Sequence, residues 1–139
     1  MADIVRQSFS MEAPLWDKLE HLVKQKGYTN RSEFIRDMLR ERLVEQEWED
    51  EAREVVGTIT MLYDHHTRLL GEKLTDIQHD HHQSIMATTH VHLDHDLCAE
   101  MIMMRGKAAR IREVADRIRQ QKGVLHTSLS ISSTGRALR

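Results

Sequence analysis

The 139-residue chain holds one cysteine, one proline and only two each of Trp, Tyr and Phe. A single cysteine excludes an internal disulfide framework, and a free thiol suits a reducing compartment. An excess of one charge is also missing. Twenty Lys and Arg stand against 22 Asp and Glu, a formal net charge of −2, so no global basic character announces nucleic acid. No apolar run approaches the ~20 residues of a membrane span, and the opening M-A-D-I-V-R lacks an apolar signal core. The expectation is a soluble cytoplasmic protein. Aromatics are 4% of the chain, yet hydrophobic residues at 40% suffice for a core, in one ordinary domain or two small ones.

What the chain does have is histidine. Eight of the ten histidines lie between His65 and His95, and Cys98 follows three residues later. Imidazole and thiolate bind borderline and soft divalent metals. Ser84–His95 has no glycine or proline and includes Ile85, Thr88, Thr89 and Val91, which predicts a strand. Residues two apart on a strand share a face, so His90 and His92 project together, roughly 6.5–7 Å apart. Asp94, His95 and Asp96 predict a polar turn. If the strand starting near Cys98 folds back antiparallel, the thiol comes beside the imidazole pair. One hairpin then offers three ligands, and a fourth comes from elsewhere. H-V-H-L-D-H at 90–95 also fits the H-x-H-x-D-H pattern of metallo-β-lactamase-like hydrolases, but too little chain follows to complete such a domain. The four strand methionines, Met86, Met101, Met103 and Met104, are read as core packing rather than as soft ligands.

Along the chain, Val5–Met11 alternates, with Val5, Phe9 and Met11 on one face and Arg6, Ser8 and Ser10 on the other. This predicts a short half-buried strand. Pro14 suits a first helical turn, and Leu15, Trp16, Leu19, Leu22 and Val23 mark a helical stripe that Gly27 stops. Asn30 with Glu33 is a capping-box variant opening a second helix that runs to about Trp48. The charged segment 45–54 predicts a domain boundary. Beyond it the elements read strand 55–63, helix 67–77, the histidine strand, strand 97–104, a turn at Gly106, helix 108–121 and strand 124–131. That order, βαββαβ, is ferredoxin-like. The expected division is 1–50, 51–133 and a flexible tail at 134–139.

A βαα unit of about 45 residues cannot bury its own apolar face, and a lone strand leaves its backbone unpaired. Pairing the strand with its copy answers both, and the outward face of the ribbon then carries Arg6, Ser8 and Ser10. Such a ribbon fits the DNA major groove, where Arg can bond guanine and Ser several base edges. The helix start at Asn30, Arg31 and Ser32 suits a phosphate. An ordinary dimerisation module with a polar outer face fits the same pattern.

The run G-Y-T-N-R-S-E-F-I-R-D at 27–37 resembles the second-helix start of ribbon-helix-helix repressors. Q-H-D-H-H-Q-S-I-M-A-T-T-H-V-H-L-D-H-D-L-C at 78–98 closely resembles the nickel-responsive transcriptional regulator family. Both occur in the family's order and spacing. The resemblance implies an α+β chain with an N-terminal ribbon-helix-helix DNA-binding domain and a C-terminal ACT-like, ferredoxin-like metal-sensing domain. It implies a homotetramer on double-stranded operator DNA, without membrane or other protein partner, that is a repressor of nickel-uptake genes and not an enzyme. By motif position the ligands of one Ni(II) per subunit fall on His90, His92 and Cys98, with His79 supplied by a neighbouring subunit. Three nitrogens and one sulfur in a plane suit Ni(II), whereas Zn(II) prefers a tetrahedron. The base-contacting positions fall on Arg6, Ser8 and Ser10. A second cation site falls on Glu33 and Asp37, and Tyr63 and Glu100 become groups that support the ligands. Two alternatives share these residues: a repressor of the same architecture sensing copper or cobalt, and a metal-storage or delivery protein without DNA activity.

Overall fold

Local signals account for most element boundaries in the computed structural model, which describes residues 3–139. Pro14 lies in the first turn of α1 (Ala13–Gln25), where its missing N–H costs nothing. Gly27 ends the helix at φ 75°. Its N–H donates to the Lys24 carbonyl and that of Tyr28 to the Val23 carbonyl, both at 3.0 Å, a Schellman closure. Asn30 then caps α2 (Arg31–Glu49), with its Oδ1 accepting the Glu33 N–H at 2.8 Å.

The chain divides into two compact units. The first runs to Leu43 and takes in Ala137–Arg139. It buries Leu19 and Val23 of α1, and Tyr28 meets Phe34 edge-on at 5.3 Å. Leu15, Leu22, Met38 and Leu39 stay exposed. The strand expected at Val5–Met11 does not form within the chain, and Val5 and Phe9 are 74% and 60% exposed. The reason is the missing partner strand. A single strand has no ladder of its own, and nothing else in this unit supplies one.

The second unit, Val44–Arg136, contains β1 (Glu54–Asp64), α3 (Leu70–Asp80), β2 (Ile85–His92), β3 (Leu97–Lys107), α4 (Ala108–Arg119) and β4 (Val124–Ile131). Its sheet has the order β2-β3-β1-β4 with every pair antiparallel, the ferredoxin-like arrangement. One sheet face carries Val55, Ile59 and Met61 of β1 and Ile102 and Met104 of β3. These form a single core with Leu70, Leu74 and Ile77 of α3 and Ile111, Val114 and Ile118 of α4. Trp48, in the last turn of α2, completes this core, with its Nε1–H donating to the Ser132 carbonyl at 2.7 Å. No helix among the described residues is long and apolar enough to cross a membrane.

Three expectations need correction. Helix α3 begins at Leu70, not Thr67, because Leu69 takes φ 63°, a left-handed conformation that no helix continues. At its other end the helix runs on to Asp80, past the expected Ile77, and carries His79 in its last turn. Gly106 makes no turn; β3 runs through it and passes directly into α4. Only Met104 of the four strand methionines is core. Met86, Met101 and Met103 are 58%, 44% and 42% exposed. Met101 and Met103 alternate with the buried Ile102 and Met104, so they occupy the face opposite the helices.

Met86 is exposed because it is a bulge. Ile85 pairs with Met104 but Ala87 pairs with Met103, so one extra residue sits on β2. Each strand position after it changes face. Ile85 lies at a core-side register position, and so do Thr88, His90 and His92.

Gly57 is where the sheet meets the indole of Trp48. A Cβ there would lie 2.9 Å from Cη2 and 3.2 Å from Cγ2 of Ile111, both buried side chains. Gly57→Ala should lower the unfolding free energy by about 1–3 kcal/mol through overpacking, read as a drop in denaturant midpoint at unchanged slope.

Candidate metal centre

The hairpin β2–β3 brings the sequence's histidine pair to its cysteine. His92 is the ladder partner of Cys98 and His90 that of Glu100. His92 Nδ1 lies 3.3 Å from the Cys98 sulfur, and the His90 and His92 rings are 5.0 Å apart. The turn between the strands is built by Asp94, whose Oδ1 accepts the Asp96 and Leu97 N–H groups at 2.8 Å each. Those two bonds, more than any neighbouring charge, hold the Asp94 carboxyl below its usual range. Asp94 is thus a builder of the turn.

His65 also reaches the site, from the connection after β1. Its N–H donates to the Asp96 carbonyl at 3.1 Å, and its Nδ1 lies 3.4 Å from the Cys98 sulfur. His65, His92 and Cys98 have their ligand atoms within 4.8 Å of one another. Bonds of ~2.3 Å to sulfur and ~2.0 Å to nitrogen, meeting at about 100°, span the 3.3 and 3.4 Å from the sulfur to the His92 and His65 nitrogens. The donor set, one thiol and two imidazoles, fits a borderline divalent metal. The cluster histidines alone could have signalled His65, but no local pattern linked it to Cys98.

His90 is held differently. Its Nδ1 lies 3.3 Å from the Tyr63 hydroxyl and 3.8 Å from Glu100 Oε2. Tyr63 donates its hydroxyl proton to Glu100 Oε2 at 3.2 Å, while Gln78 Nε2–H donates to Oε1 at 2.9 Å. With its one proton given to a carboxylate, the Tyr63 oxygen accepts from Nδ1–H of His90. That leaves Nε2 as the lone-pair nitrogen. Burial first, then the Glu100 charge, raises the Tyr63 pKa, so the phenol stays protonated. Gln78 in turn accepts from the Thr88 hydroxyl at 3.3 Å, which ties the end of α3 to β2.

The remaining expected residues are dispersed. His79 is exposed on α3 and belongs to neither close ligand group among the described residues. Arg6, Ser8 and Ser10 are exposed and outside any element. Asn30 is occupied as a helix cap. Arg31 pairs with Glu20 and lies 4.8 Å from the Trp16 ring centre, and Ser32 is exposed. Asp37 accepts from Tyr28 at 2.7 Å and from Arg40 at 2.8 Å, and Glu33 pairs with Arg36.

Known proteins resemble this chain over nearly its whole length. The NikR C-terminal nickel-binding domain matches residues 56–132. The ribbon-helix-helix protein, copG family, matches residues 5–46. A protein of Solibacter usitatus, provisionally named a nickel-responsive regulator, is 52% identical over 135 residues, 97% of both chains. Proteins of the same provisional name from Geobacter sp. and Nitratidesulfovibrio vulgaris are 46% and 44% identical over 138 residues, 99% of both chains in each case. A solved structure of an uncharacterized protein from Thermotoga maritima shares the fold, with a TM-score of 0.52 at 9% identity. The match covers 57% of this chain and 98% of the other.

The Cys98 thiol is fully buried, and burial first, then Asp94, Glu100 and Asp64, raise its pKa. Only thiolate alkylates. In the metal-free protein at pH 7.5, iodoacetamide should modify Cys98 far more slowly than it modifies the denatured chain, and the rate should climb with pH beyond the ordinary thiol range. Equal rates in folded and denatured protein would contradict this account of the site.

Proposed function

The chain belongs to the NikR family of nickel-responsive regulators, which are transcriptional regulators and not enzymes, and from that premise we propose that it is a nickel-dependent regulator of operator DNA. Residues 1–50 form its DNA-reading and dimerising part, and residues 51–133 its metal-sensing and tetramerising part. The assembly is a cytoplasmic homotetramer that represses nickel-uptake genes when nickel is plentiful.

The observation that carries this reading is the His92–Cys98 contact across the edge hairpin, with His90 beside it. In this reading His90, His92 and Cys98 hold one Ni(II) per chain, and His79 of the partner subunit is the fourth ligand. Bound there, the ion supplies a link between chains. Tyr63 and Glu100 set the His90 tautomer, which would leave the Nε2 lone pair free to hold the ion. The exposed position of His79 on α3 suits a ligand offered outward.

At the other end, Val5–Met11 pairs with its copy and presents Arg6, Ser8 and Ser10 to base edges. Asn30, Arg31 and Ser32 approach phosphate at the start of α2, and Arg31 exchanges its Glu20 partner for that contact. Glu33 and Asp37 take a second cation only by giving up their arginine and tyrosine partners. A metal-linked core lets both ribbons reach their half-sites together, so each raises the effective concentration of the other.

Two experiments test the reading. DNA affinity is measured at fixed salt with and without nickel, because phosphate contacts make it salt-dependent. Arg6→Ala should lose about 1–3 kcal/mol per good base contact, in two or more copies, so specific binding nearly vanishes while nickel binding stays intact. His92→Ala should keep the fold and weak non-specific binding and lose the nickel-induced gain. Wild-type operator affinity in Arg6→Ala would remove the ribbon as reading head and favour metal storage.

Sharing of the site is tested by mixing. Neither His79→Ala nor Cys98→Ala chains alone should show the thiolate-to-nickel charge-transfer band, and mixed tetramers should recover part of it. No recovery after confirmed subunit exchange would place all the ligands in one chain.

A further inference from the structure

Beside the Cys98 centre lies a second group of ligands that the proposed regulatory site does not use. We propose that His66, His95 and Asp96 form a separate surface site for a borderline divalent cation such as Ni(II), Co(II) or Zn(II), held by two imidazoles, one carboxylate and water. Their ligand atoms lie within 4.8 Å of one another, and all three residues are exposed. His66 Nε2 and Asp96 Oδ1 are 3.2 Å apart. Two bonds of ~2.1 Å meeting at about 100° span that distance, an angle that both tetrahedral and octahedral ions accept. The His95 ring centre lies 5.6 Å from that of His66. A surface His–Asp pair by itself needs no third partner; the convergence of His95 on it is what turns a pair into a site.

The backbone under these side chains is already fixed, by bonds that use none of the three ligand atoms. The His66 N–H donates to Asp64 Oδ1 at 2.9 Å, the Asp96 N–H to Asp94 Oδ1 at 2.8 Å, and the His65 N–H to the Asp96 carbonyl at 3.1 Å. The connection after β1 and the β2–β3 turn are thus clamped together, and only side-chain torsions remain to be ordered on binding. The set contains no sulfur, so it favours harder ions than the Cys98 centre does. Its exposure leaves room for water ligands and fast exchange. The two groups share no residue, although the His65 ring, 3.4 Å from the Cys98 sulfur through Nδ1, lies 4.1 Å from the ring of His66.

The site goes beyond the regulatory reading and is tested apart from it. Full-length protein is titrated with Co(II), with bound metal counted by equilibrium dialysis and the thiolate charge-transfer band followed in parallel. Wild type should take up a second equivalent per chain after the band has saturated. The double variant His66→Ala/His95→Ala should lose that equivalent and keep the band. Cys98→Ser should lose the band and keep the equivalent. Saturation at one equivalent in the wild type would overturn the proposal. So would a second equivalent that survives the double variant, or one that disappears instead with His81→Ala/His82→Ala. An absent band with the His66-dependent equivalent intact would count against the regulatory reading and leave this site standing.

Discussion

The pairing of β2 with β3 is the constraint on which the metal chemistry depends. Cys98 is buried in the face that packs against the helices, and a one-residue slip of β2 would send every side chain on it to the other face. The bulge at Met86 reconciles two demands on one strand. Ile85 packs at the core edge, and five residues later His90 still meets Glu100 and His92 still meets Cys98. A strand without the bulge could satisfy Ile85 or the histidines, not both. β2 is also an edge strand, so its histidines are anchored on one side by a ladder and left open on the other.

Around that hairpin the protein spends polar groups on orientation. Glu100 is nearly buried, yet each of its oxygens takes a hydrogen bond, from Tyr63 and from Gln78. A buried carboxylate without such partners would be costly; with them it fixes a phenol, and the phenol fixes an imidazole. Gln78 precedes His79 on α3, so the inward side chain of one residue secures the helix turn from which the next projects outward. The ligand geometry and the packing of α3 are therefore one problem, not two.

The first unit obeys a different constraint. Its helices bury only Leu19 and Val23 of α1, and its leading segment keeps Val5 and Phe9 in solvent. Too few residues are available to enclose an apolar face within one chain, so part of that face stays in solvent. The sheet of the second unit shows the same economy on a smaller scale, with Met101 and Met103 exposed on the face away from the helices. In both places apolar residues that read as core in one chain are surface in that chain.

Periodicity and punctuation by themselves determined the elements. Pro14, Gly27 and Asn30 set the ends of α1 and the start of α2, and β4 was legible to the residue. These signals act within a few residues along the chain, which is why a sequence displays them. The H-x-H spacing and the following cysteine likewise made the hairpin and its metal affinity readable, since strand alternation is local. What the tertiary structure alone decided is non-local or depends on a single torsion. Leu69 in a left-handed conformation moved the start of α3, and the helix ran on to Asp80 and took in His79. The Met86 bulge chose which face the histidines share with Cys98. The return of the chain after β1 set His65 against the sulfur and His66 against Asp96, across some thirty residues of sequence that carry no pattern linking them. Such contacts follow from how the sheet closes, and no window of neighbouring residues contains that information.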